Sequence, residues 1–90
     1  MYKKSSEYLP EWALVSMERY VNSGVPMGHF LTSLFANDLM KTFARADDEN
    51  AKILLHYVRY VWNDLPSDCH GSYEIVNDYM KRKREGEKDG

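Results

Sequence analysis

The chain has 90 residues, is 43% hydrophobic and 13% aromatic, and carries a formal net charge of −2. That length makes one domain over 1–90, the aromatic content excludes an intrinsically disordered tail, and the charge excludes a global field that would draw in nucleic acid or an anionic membrane. The one cysteine, Cys69, leaves no internal disulfide, no charged and then apolar leader opens the chain, and no apolar run approaches the roughly 20 residues that cross a bilayer, so the expected setting is a reducing cytoplasm.

In chain order, residues 1–9 are a polar lead, expected to be loose. Pro10 suits a first helical turn and Glu11 the positive end of a helix dipole, after which Ala13, Leu14, Met17, Tyr20 and Val21 share a face. Gly24 closes that helix, and Pro26 disfavours helix at Val25, so Val25 to Gly28 is a connector. A second helix from about Gly28 puts Leu31, Leu34 and Phe35 on one face, with Asp38 landing where the next apolar residue is due. Either Asn37 or Asp38 caps a new short helix from Leu39 to Arg45, with Leu39, Met40 and Phe43 inward, or one kinked helix carries Asp38 to a partner; the break is the preferred reading.

Asp47, Asp48, Glu49 and Asn50 then supply acceptors and negative charge ahead of a long helix, with Asp47 as its N-cap. Ala51, Leu54, Leu55, Val58, Val61, Trp62 and Leu65 recur at helical spacing and form one stripe, along about 27 Å if that helix runs for roughly 18 residues. A second apolar side, Ile53, Tyr57 and Tyr60, makes this the expected central helix, wrapped by the others; the alternative leaves Tyr57, Tyr60 and Trp12 exposed as an interface. Pro66 stops the helix, and Pro66 to Gly71 is dense in turn formers. A last helix capped by Gly71 or Ser72 carries Ile75, Val76, Tyr79 and Met80 inward and ends in Lys81, Arg82, Lys83 and Arg84, with residues 85–90 expected to fray. The expected fold is all-α, a bundle of four to five helices.

No motif here announces chemistry. The acidic cluster lacks the ligand order of a calcium loop and is explained by helix capping, so no metal is expected. His29, His56, His70 and Cys69 lack zinc spacing, and a catalytic site built from His29, His56 or Cys69 needs an oriented base that spacing does not supply. Lys81 to Arg84, preceded by Tyr73 and Tyr79, is the nucleic-acid candidate, since cations meet phosphates while aromatics stack on bases.

The strings Asn22-Ser23-Gly24-Val25-Pro26, Asn37-Asp38-Leu39, Ala46-Asp47-Asp48-Glu49-Asn50 and Pro66-Ser67-Asp68-Cys69-His70-Gly71-Ser72 resemble a family of small helical proteins of tailed bacteriophages and prophages, over roughly Val21 to Tyr79. His70 stands where that family has an aromatic, and Tyr73 where it often has proline. The resemblance implies a mobile-element origin and carries no activity, cofactor or catalytic residue.

These readings lead to a non-enzymatic phage or prophage accessory protein without cofactor. It is expected to act by binding a host or phage protein, for example by occluding a host defence or regulatory complex, with a second copy of the chain as a further partner. Candidate contact residues are Arg45, Asp47, Asp48, Asn50, Ser67, Asp68, His70 and Ser72, since connections between rigid helices commonly hold binding residues. The alternative is a nucleic-acid-binding regulator using Lys81, Arg82, Lys83 and Arg84.

Overall fold

The first helix, α1 (Glu11–Ser23), starts one residue after an extended Pro10 and stops at Gly24, whose φ of 71° only glycine adopts without strain. Gly24 has a second reason to be glycine. A Cβ there would stand 2.7 Å from the Met80 carbonyl oxygen and 2.9 Å from Lys83 Cβ, because the last helix crosses against it. The computed structural model in which these contacts are seen describes residues 4–85.

The remaining helices are α2 (His29–Phe35), α3 (Leu39–Arg45), α4 (Asp48–Lys52), α5 (Leu54–Asp64) and α6 (Tyr73–Glu85), with 3-10 turns at Ser5–Tyr8 and Ser67–Cys69. The described residues hold no strand, and the fold is an all-α bundle. The break between α2 and α3 falls at Asn37, in the left-handed region at φ 62°, and Asp38 caps α3 by accepting from the Lys41 N–H at 3.3 Å. Asp47 caps α4 as its side chain predicts, accepting from the Asn50 N–H at 2.8 Å. The expected single long helix is divided at Ile53, where the Ile53 N–H bonds three residues back to Asn50 and the His56 N–H three back to Ile53. Asn50 is buried in that joint, its Oδ1 accepting from the Tyr57 hydroxyl at 2.7 Å.

The core gathers Met17 and Tyr20 of α1, Leu31 and Phe35 of α2, Tyr57 of α5, Cys69 and Val76. Tyr20, Tyr57 and Tyr79 are buried with their hydroxyls hydrogen-bonded, as burial requires. Tyr20 donates to the Cys69 carbonyl and Tyr79 to the Val21 carbonyl, both at 2.6 Å. The Tyr20 ring meets Phe35 edge-on at 5.2 Å, and Phe30 meets Tyr57 the same way.

Three expectations are corrected. First, the stripe on α5 is buried only along one edge. Tyr57, Tyr60, Leu54 and Val61 face the core, while Leu55, Val58 and Trp62 are exposed, so the helix is rotated about a quarter turn from the predicted phase. The helix is therefore not wrapped on all sides, and of the proposed exposed trio only Trp12 is exposed. Second, Leu39, Met40 and Phe43 point outward. Thr42 takes the inward position and its hydroxyl donates to the Asp38 carbonyl at 2.6 Å. Arg45 holds this orientation by donating to the His29 carbonyl at 3.2 Å and to the Ser33 hydroxyl. Third, regular structure begins before Pro10: Ser5–Tyr8 forms a 3-10 turn, Leu9 is buried and the Tyr8 ring stacks on His56 at 3.9 Å, tying that turn to α5. The expectations for residues 1–3 and 86–90 lie outside the described residues.

A candidate protein-contact groove between α3 and α5

The outward rotation of α3 and α5 leaves a groove between them. Its apolar walls are Leu39 of α3 and Val58 and Trp62 of α5, its floor is Leu34, Phe35, Leu54 and Val61, and its volume is about 360 Å³. One end is polar, formed by Asn37, Asp38, Thr42, Ser67, His70 and Gly71. Phe43 on α3 lies one helical turn from Leu39, and Leu55 on α5 one turn from Val58, which extends the apolar surface along both helices, and the exposed Met40 stands next to Leu39 in the chain.

The polar end is built by backbone geometry. The Gly71 N–H donates to the Phe35 carbonyl at 2.7 Å, which draws the 66–72 loop onto the end of α2. Gly71 does this at φ 140°, and a Cβ there would meet Ile75 Cδ1 at 2.9 Å. His70 thereby comes to lie 6.1 Å from the Trp62 ring. Burial holds its imidazole below the ordinary range, with Asp68 pulling the other way. Asp38 is oriented from two sides, by the Tyr73 hydroxyl donating to Oδ2 at 2.8 Å and the Lys41 N–H to Oδ1. The Tyr73 bond holds the carboxyl below its usual range, aided by Lys41 and Arg45 and opposed by desolvation.

The residues singled out in the sequence divide between this groove and other duties. Ser67 and His70 line it. Arg45 braces α3, Asp47 is a cap, and Ser72 Oγ accepts from the Ile75 N–H at 3.1 Å at the start of α6. Asp48 is exposed on the first turn of α4. Asn50 is buried and committed to Tyr57, which removes it as a surface contact. Asp68 pairs with Arg82 at 3.7 Å across an exposed surface, a geometry that adds little stability. Lys81, Arg82, Lys83 and Arg84 form the last turns of α6, where Arg82 and Lys83 sit over the Tyr79 ring at 5.3 and 5.6 Å.

The nucleophile candidates are set differently. Cys69 is fully buried, and burial, with Asp68 adding, pushes its thiol up to about 11, which keeps it protonated at neutral pH. His56 is stacked on Tyr8 and His29 opens α2. Ser67 and His70 share the groove with Asp38, yet among the described residues no hydrogen bond joins Ser67 to His70 or His70 to Asp38. Among the same residues no three His, Cys, Asp or Glu gather where they could hold a metal ion, and no helix is long and apolar enough to cross a membrane.

The wall residues Leu39, Val58 and Trp62 were not among the candidates read from the sequence, which placed Asp38 as a helix cap or partner contact and Tyr73 beside the basic run. The signal for them was an excess: α5 is apolar on two sides, and α3 carries three large apolar residues in one short helix. No family model, curated protein or solved structure matches the chain.

Proposed function

We propose that this chain is a non-enzymatic binding protein that meets a protein partner through the α3–α5 face. The observation that carries this reading is the outward display of Leu39, Val58 and Trp62 on the walls of one groove, with Met40, Phe43 and Leu55 exposed on the same two helices. Single exposed hydrophobic residues are ordinary on a soluble protein, whereas a contiguous apolar patch rimmed by polar groups marks an interaction surface. The composition fits too, since Trp, Phe and Met are enriched at protein interfaces and charged residues depleted at their centres. The resemblance of the 46–50 and 66–72 strings to phage and prophage proteins supports a mobile-element accessory role, exerted by occupying a site on another protein rather than by chemistry.

Replacing Trp62 with the photo-crosslinker p-benzoylphenylalanine in living bacteria tests this, with Trp12 replaced as the exposed control on α1 and Lys81 as the control on the basic end. Discrete protein adducts through position 62, with few through position 12, are the expected result. Equal labelling at both positions, or none at 62, contradicts the reading, and nucleic-acid adducts through position 81 alone transfer it to the basic end of α6.

A further inference from the structure

We propose that the α3–α5 face takes a second copy of this chain, giving a symmetric dimer in which Trp62 of each copy enters the groove of the other. The inference names the partner of the face described above and rests on that reading. Its first support is area. The six outward residues are between 48% and 79% exposed. At on the order of 100 Å² or more apiece they present roughly 700 Å², close to the roughly 800 Å² that each partner contributes to an interface of standard size.

Its second support is shape. A twofold interface uses one patch on both molecules, so that patch must contain both a projection and a recess to receive it. Here the two are adjacent: Trp62, 74% exposed, stands at the wall of a groove of about 360 Å³. The polar end supplies what an entering indole needs, because a buried Trp N–H requires an acceptor, and Asp38, Asn37 and Ser67 offer oxygens there. None of the six residues is charged, so no ion pair among them holds the contact and added salt does not weaken it.

Light scattering of the full chain over a concentration series tests the proposal. The expected mass rises toward twice the chain's 10.6 kDa, does not fall as salt is added, and stays monomeric at every concentration in Trp62→Ser, which melts like the dilute, monomeric parent because Trp62 is exposed. Trp12→Ser should dimerise as the parent does. A parent chain that stays monomeric throughout overturns the proposal, as does a Trp62→Ser dimer of parental affinity or one that salt dissociates. A monomer that still forms protein adducts through position 62 overturns the second copy alone, while a monomer that forms none overturns the contact reading as well.

Discussion

The Tyr57 hydroxyl donates to Asn50 Oδ1 at 2.7 Å across the joint at Ile53, so the acidic N-terminal turn of α4 and the core face of α5 are held by one buried polar pair. That pair fixes which side of α5 turns inward. With Tyr57 committed to the core, Leu55, Val58 and Trp62 are carried to the outer side and the groove opens.

Removing one partner leaves the other buried and unsatisfied, a loss of about 1–3 kcal/mol for Tyr57→Phe or Asn50→Ala. Urea denaturation of the two single variants and the double variant checks this. The double variant should be less destabilised than the sum of the singles, because the second change removes the group that the first orphaned.

Gly24→Ala should destabilise the fold by about 1–3 kcal/mol, since it combines a left-handed backbone with a Cβ against the Met80 carbonyl. Gly28→Ala is the control, because nothing lies near a Cβ there and the backbone is extended. Thermal melts of the two variants should separate clearly, with Gly28→Ala near the parent.

The groove residues should behave oppositely to the core. Leu39→Ser and Trp62→Ser remove exposed side chains and should shift the monomer's stability by less than about 0.5 kcal/mol, whereas Tyr20→Phe orphans the buried Cys69 carbonyl and should cost about 1 kcal/mol or more. Denaturation at a concentration low enough to exclude association provides the comparison.

The Tyr73 hydroxyl lowers the Asp38 carboxyl in the folded chain. A carboxylate depressed by folding favours the folded state at pH values above the range in which an unfolded aspartate titrates, and that contribution fades as pH falls through the folded value. Tyr73→Phe should therefore raise the Asp38 titration toward the ordinary range, observable by carboxyl NMR. Its stability deficit should be present at neutral pH and absent once Asp38 is protonated in both proteins.

Most element boundaries were legible because local chemistry sets them, while the division at Ile53 was not. Gly24 before Val25-Pro26, Asp38 and Asp47 as caps, and Pro66 as a stop each act within a few residues of chain. The groove was not legible, because it depends on which of two apolar faces turns inward. On α5 the Leu55, Val58, Trp62 side and the Tyr57, Tyr60 side both satisfy helical periodicity, and the choice falls to tertiary partners: Asn50 for the Tyr57 hydroxyl and Phe30 for its ring. On α3, composition favours Leu39 and Phe43 for the interior, yet Thr42 is buried because Arg45 locks the helix to Ser33 and the His29 carbonyl. Asn50 shows the converse, a residue polar enough to suggest a surface contact but placed inside by one hydroxyl.

The chain contains two tryptophans, one on the groove and one on α1, which makes fluorine NMR of the 5-fluorotryptophan-labelled protein the most direct test of the α3–α5 face as a contact surface. The Trp62 resonance should shift or broaden as the protein is concentrated, or as cleared bacterial lysate is added to a dilute sample, while the Trp12 resonance stays in place. A Trp62 resonance unmoved in both series, or a Trp12 resonance that moves equally, would contradict the account.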